Sequence, residues 1–277
     1  MEKNYDFVPH IHQIWLQGED NIPEKFKSNI TQIKNLHPTW QYTLWDDIQI
    51  IQLLRGMNSK SLFKVENNKN PSSLIDIYYK MEHLHQKVDF ARYVILYQFG
   101  GAYVDMDAKS IKPMDDLVEQ STNYEMLVSQ LNLSTVENYI TTGYKYSINN
   151  GVIIAKRKSS VLKSLIQKII NDYHCDIWSR KIKPICINQT TGPKRFTQTI
   201  FENFSQYPIK ILSHQYFEPC VFEDCDITEN TYFIHQHERS WLSASLNKNL
   251  SDFYKNRYII LLIILLFSIS IYTLWKN

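Results

Sequence analysis

The stretch QFGGAYVDMDA, residues 98–108, constrains this chain more than any other. It places two adjacent glycines after a long helix-like run, and two aspartates, one residue apart, after a short apolar one. The chain has only seven glycines in 277 residues, and a neighbouring pair is expected where the backbone needs φ > 0 or something must approach closely. We expect the pair to turn the chain at the mouth of a ligand site. Upstream, SLIDIYYKMEHLHQKVDFARYVILYQF (73–99) reads as one helix, with Leu84, Val88, Ala91 and Ile95 at i, i+4, i+7 and i+11 forming an apolar stripe. Gly100 and Gly101 stop it. AYVDMDA then reads as a strand, in which residues i and i+2 share a face, so Asp105 and Asp107 present their carboxylates together.

The rest of the chain alternates in the same way. VPHIHQIWLQG (8–18), 124–130 and NNGVIIAKR (149–157) read as strands, and 35–47 as a turn followed by a strand. Residues 159–173 read as an amphipathic helix capped at Ser159 or Ser160, and TGPKRFTQTIFENF (191–204) as a loop entering another helix. The polar stretch 58–72 reads as a surface excursion. Strands alternating with helices predict an α/β domain over residues 1–243, with a mostly parallel central sheet flanked by helices.

The net charge of +2, with interspersed charges, leaves no basic stripe of the kind that binds nucleic acid. Cys175, Cys186, Cys220 and Cys225 lack paired C-x-x-C spacing, which argues against structural zinc. After a polar linker (244–257), residues 258–275 form an uncharged run of about 27 Å if helical, enough for a thin bilayer. Tyr258, Tyr272 and Trp275 near its ends and the flanking Lys255, Arg257 and Lys276 fit a single-pass C-terminal transmembrane anchor in an endomembrane. Lys255 and Arg257 favour a cytosolic face for the domain.

Two hard oxygen donors at a strand end suit Mn²⁺ or Mg²⁺ shared with a phosphate. A bare D-x-D is weak on its own; Asp224 and Asp226 repeat the spacing with no helix or glycine pair before them. The context of the first pair is stronger, because Asp89 and Arg92 are three apart on the preceding helix and share a face. Ligands of open α/β sheets bind outside the carboxyl ends of the strands, where this loop ends.

DFARYVILYQFGGAYVDMDA resembles the signature of the DXD-containing sugar transferases, glycosyltransferase family 32, which includes fungal outer-chain mannosyltransferases and mannosyl-inositol-phosphoceramide synthases. VPHIHQIWLQG, NNGVIIAKR, TGPKRFT and IHQHERSW resemble further family blocks in the family's order, across roughly residues 8–241. The resemblance implies a GT-A-like fold and a metal-dependent transfer of a hexose from a GDP- or UDP-sugar to a glycan, glycolipid or glycoprotein, with retention of configuration. It places Trp15 in the base pocket and Tyr103 beside the nucleotide. Asp89 and Arg92 would contact the donor sugar and its phosphate side, and Asp105 the sugar and the metal. Asp107 would ligate the metal directly, with His235, or His237 two residues on, as its late partner. Ser240 and Trp241 would complete the donor side, and Asn150 or Asn149 would meet the sugar near its anomeric carbon. Two other readings share these features: a catalytically inactive, membrane-tethered binding relative, and a D-x-D phosphohydrolase, disfavoured because the first strand lacks an aspartate.

Overall fold

The computed structural model describes residues 7–57, 63, 73–175, 182–221 and 224–236. His237, Ser240, Trp241, the linker 244–257 and the apolar run 258–275 lie outside the described residues. Among the described residues no helix is long and apolar enough to cross a membrane.

The chain alternates as expected. In order come β1 (His10–Ile14), α1 (Glu24–Leu36), β2 (Gln41–Trp45), α2 (Asp47–Gly56), α3 (Leu74–Lys80), α4 (Leu84–Phe99), β3 (Gly101–Val104), β4 (Ala108–Ser110) and α5 (Asp115–Glu119). Then follow β5 (Met126–Ser129), α6 (Thr135–Thr142), β6 (Val152–Ala155), α7 (Ser160–Asn171), α8 (Lys183–Thr190), α9 (Pro193–Asn203), β7 (Ile209–Leu212), α10 (His214–Phe217), β8 (Cys220–Val221), β9 (Asp224–Cys225) and β10 (Phe233–His235). The central sheet has the order β2-β1-β3-β6-β5-β7. Its β1–β2, β1–β3 and β5–β7 pairs are parallel, while β6 runs antiparallel to both of its neighbours, β3 and β5. The sheet is therefore mixed, and its one reversed strand matters: the amino end of β6 lies at the same edge as the carboxyl end of β3.

Helices cover the sheet with apolar side chains. In α7, Val161, Leu162, Leu165, Ile166, Ile169 and Ile170 are all buried, each contributing about 1.5–3 kcal/mol by leaving water. Ser159 is its cap, accepting from the Leu162 N–H. The expected helix over 73–99 is two helices. Ser73 and Asp76 form a capping box at the start of α3, and a second start intervenes where the His83 N–H donates to Gln86 Oε1 at 3.1 Å. Nor is there a single stripe on α4: Leu84 is exposed, whereas Phe90 to Tyr97 are buried all round the helix. Of the expected surface excursion 58–72, Phe63 is described, and it is buried against the Tyr97 ring.

The glycine pair sits at the amino end of β3, away from the aspartates. Gly100 and Gly101 have φ of +71° and +94°. A Cβ on Gly100 would stand 2.7 Å from the Arg157 amide nitrogen, and one on Gly101 would collide with the His10 carbonyl oxygen. What approaches the glycines is thus the backbone of neighbouring segments and not a ligand. This tight reversal sends β3 back along α4. Arg92 lies about 12 Å down the helix from the turn and Asp105 about 13 Å along the strand, so the two come level.

Candidate active site

Asp105 and Asp107 converge, but not by strand alternation. The strand ends at Val104 and both residues occupy a turn closed by the Ala108 N–H donating to Asp105 O at 3.0 Å. Three elements then bring partners to this turn. The reversed β6 starts beside it, with the Asp105 N–H donating to Gly151 O at 2.8 Å. The antiparallel β4–β10 pair sets His235 opposite Ala108. Helix α4 supplies Asp89 and Arg92. One ligand atom each from Asp105, Asp107 and His235 lies within 4.8 Å of the others, the closest approach being His235 Nε2 to Asp107 Oδ1 at 2.9 Å.

Beside this trio is a buried ionic network. The Arg92 guanidinium, 5 % exposed, lies 3.2 Å from both Asp89 Oδ1 and Asp105 Oδ1, donates to Asn150 O at 2.5 Å, and stands 4.5 Å from the centre of the Tyr103 ring. The Tyr103 hydroxyl donates to Asp105 Oδ1 at 2.7 Å. Asp89 also accepts from Asn150 Nδ2 at 3.1 Å and from the Thr191 hydroxyl at 3.0 Å, and Asn150 Nδ2 reaches the Tyr93 hydroxyl at 3.0 Å. Asp89 is thereby engaged in orienting Arg92, Asn150 and Thr191. Burial pushes its carboxyl up to about 6 against the opposing pull of Arg92. Burial also raises Asp105, with Arg92 again opposing. For His235 burial acts downward, yet Asp107 and Glu218 together outweigh it and hold the imidazole well above its usual value.

The donor set fits a hard divalent cation: two carboxylates and an imidazole, converging on one point and backed by a glycine. A Cβ on Gly151 would lie 2.7 Å from Asp105 Oδ2, 3.0 Å from His235 Cε1 and 3.1 Å from Asn149 Oδ1. That cradle exists only without a side chain. Gly151 is outside the positive-φ region, so alanine is tolerated by its backbone. Gly151→Ala is expected to displace the Asp105 carboxylate and weaken Mn²⁺ binding by roughly tenfold or more, with a lowered thermal midpoint because Asp105 also holds Tyr103 and Arg92. Calorimetric Mn²⁺ titration beside thermal unfolding checks this.

Residues 23–124 match the family model described as the glycosyltransferase sugar-binding region containing a DXD motif. The match covers less than half of the chain. Asp89 and Arg92 from the helix, Tyr103 from the strand and Asp105 and Asp107 from the turn all fall inside it. The chain is 34% identical to inositol phosphoceramide mannosyltransferase 1 of Schizosaccharomyces pombe over 115 residues, which are 40% of this chain and 31% of that protein. It is 28% identical to an uncharacterised glycosyltransferase of Acanthamoeba polyphaga mimivirus over 267 residues, 92% of each. The match thus spans about a third of the fungal protein and nearly all of the viral one. In fold, the chain is similar to the catalytic domain of alpha-toxin from Clostridium novyi, with a TM-score of 0.51 and 13% identity over 92% of this chain and 83% of that one.

Most of the sequence-derived site residues of this DXD chain meet in space. Asp89, Arg92, Tyr103, Asp105, Asp107, Asn150 and His235 form one connected set. Trp15 lies one residue past β1 at the same sheet edge, with its ring 5.6 Å from Phe26 and its Nε1 donating to Asn21 O at 3.1 Å; Met106, between the two aspartates, belongs to the same cluster. Asp226, from the control pair, instead accepts from Gln215 at 2.6 Å and is not part of the converging trio. The cysteines pair as Cys175–Cys186 and Cys220–Cys225. Sequence reasoning missed Tyr93, Thr191 and Glu218. Tyr93 was accessible, since it stands four residues after Asp89 on the same helix face. Thr191 precedes the Gly-Pro of the TGPKRFT block, and Glu218 is a lone carboxylate inside the apolar run YFEPCVF.

Proposed function

We propose that this chain is a metal-dependent hexosyltransferase that moves a sugar from a nucleotide-sugar donor to a glycan or lipid-linked acceptor, with retention of configuration. The observation that carries the reading is the convergence of Asp105, Asp107 and His235 beside buried Arg92, on a chain whose residues 23–124 match the DXD sugar-transferase family. Asp107 and His235 would hold Mn²⁺ or Mg²⁺ with Asp105. Such an ion neutralises the charge developing on a departing diphosphate. The protein's part is to hold fixed dipoles around that charge. Arg92 is anchored by two carboxylates and a carbonyl, so its orientation needs no adjustment as the bond to the sugar breaks. Asn150, tied to Asp89 and Tyr93, would fix the sugar against Arg92. Trp15 offers an aromatic face for the base at the same edge.

The apolar run 258–275 supports an acceptor confined to a membrane, where tethering raises its effective concentration. The test is nucleoside-diphosphate release by the full chain in detergent, with GDP-mannose, UDP-glucose, UDP-galactose or UDP-N-acetylglucosamine, in Mn²⁺ or in EDTA. Release from one donor in Mn²⁺, abolished by EDTA, is expected. Folded protein that binds neither Mn²⁺ nor any nucleotide would sink the reading.

A further inference from the structure

Glu218 is 1 % exposed, in the turn between α10 and β8. A carboxylate so deeply buried is costly unless its charge is answered. Its Oε2 lies 3.0 Å from His235 Nδ1 and accepts from Asn149 Nδ2. The Asn149 side-chain oxygen Oδ1 in turn accepts from the backbone N–H groups of Gly151 and Val152. Glu218 therefore joins the late histidine to the amino end of β6 and to the glycine cradle. The turn that carries it is pinned on every side: the Glu218 N–H donates to His214 O, Pro219 O accepts from Asn132 Nδ2 and the Asp226 N–H, and Cys220 is bonded to Cys225.

We infer that Glu218 is the positioning residue of the cation site: it holds the proton on His235 Nδ1, so that Nε2, 2.9 Å from Asp107 Oδ1, is the atom left to ligate. The inference rests on the cation reading above. An imidazole has two chemically distinct nitrogens, and whichever is engaged by a carboxylate keeps its hydrogen while the other becomes the more basic ligand. Glu218 acts through His235 and not as a ligand itself, because the converging group among the described residues comprises Asp105, Asp107 and His235. The Asn149 amide completes the chain by donating to the same oxygen that His235 uses, which fixes the carboxylate's rotation.

The experiment compares the full chain with Glu218→Gln and Glu218→Ala. Mn²⁺ affinity is read by calorimetry without any donor, thermal unfolding is read in parallel, and the nitrogen shifts of His235 are read in Mg²⁺-loaded, ¹⁵N-histidine-labelled protein. Glu218→Gln keeps the shape and the hydrogen-bonding capacity but removes the charge. It is expected to bind Mn²⁺ about 10–100-fold more weakly at an unchanged thermal midpoint, with the parent's His235 protonated on Nδ1. Parental Mn²⁺ affinity in Glu218→Gln, or a parent protonated on Nε2, overturns the inference. So does a pair of variants that lose thermal stability but bind Mn²⁺ like the parent. A parent that binds no Mn²⁺ would overturn the cation reading first, and this inference with it.

Discussion

Asp107→Asn is expected to fold like the parent and lose metal-dependent sugar transfer by about 10³-fold or more in kcat/KM, or roughly 4 kcal/mol of transition-state stabilisation. Folding survives because the Asp107 side chain is 17 % exposed and its carboxylate faces His235, outside the Arg92 network. What ties the residue into the fold is its backbone, whose carbonyl accepts from the Gln236 N–H at 2.9 Å, and asparagine keeps that bond. Activity does not survive, because a neutral amide is a poor substitute for a carboxylate facing a hard cation. Asp105→Asn gives the contrast. Asp105 accepts from the Tyr103 hydroxyl and pairs with Arg92, so its loss should lower stability and activity together. Diphosphate release over a Mn²⁺ series, beside urea unfolding, separates the two. An Asp107→Asn protein with more than about a tenth of the parent's rate would show that the cation is held elsewhere.

The sequence carried the site better than the sheet. Asp89 and Arg92 meet because spacing along one helix is a local property, readable from i and i+3 alone. Asp105 and Asp107 were paired correctly for the wrong physical reason: the strand ends at Val104, four residues before the expected end at Ala108, and a turn does the gathering. The direction of β6 was not legible. Four fully buried residues, Val-Ile-Ile-Ala, look the same whether the strand runs up or down, since a buried apolar run has no polar face to orient it. Yet that reversal delivers Asn149, Asn150 and Gly151 to Asp105. Glu218 was hidden for a related reason: its partners, Asn149 and His235, lie 69 and 17 residues away, and no periodicity connects them. The glycine pair was marked correctly as crowded, but sequence spacing cannot say whether backbone or ligand does the crowding.

Arg92→Met is expected to be the most destabilising single change in the site, at about 3–5 kcal/mol near neutral pH, because it strands two buried carboxylates. Methionine keeps much of the aliphatic bulk, so the loss is chiefly electrostatic. Lysine would not rescue it: an ammonium is a point donor, whereas the planar fork here meets Asp89, Asp105 and the Asn150 carbonyl while facing the Tyr103 ring. The pH dependence follows from the direction of the carboxyl shifts. Asp89 already titrates at about 6 because burial disfavours its charge, with Arg92 pulling it back down. Without Arg92 that pull vanishes, and both Asp89 and Asp105 move further above the ordinary carboxylate range. A carboxyl raised on folding costs stability when it is ionised in the fold, and the cost shrinks as pH falls and the folded state takes up the proton. The Arg92→Met deficit should therefore be larger at about pH 7.5 than at about pH 5, measured as the difference in urea unfolding from the parent. An equal deficit at both values would mean that packing, and not charge, is what Arg92 supplies. A larger deficit at the lower pH would mean that Asp89 and Asp105 are not the groups left exposed to each other. If the expected order holds, Arg92 steadies the fold by its charge, and the transfer proposed above would use a guanidinium already fixed by Asp89, Asp105 and the Asn150 carbonyl.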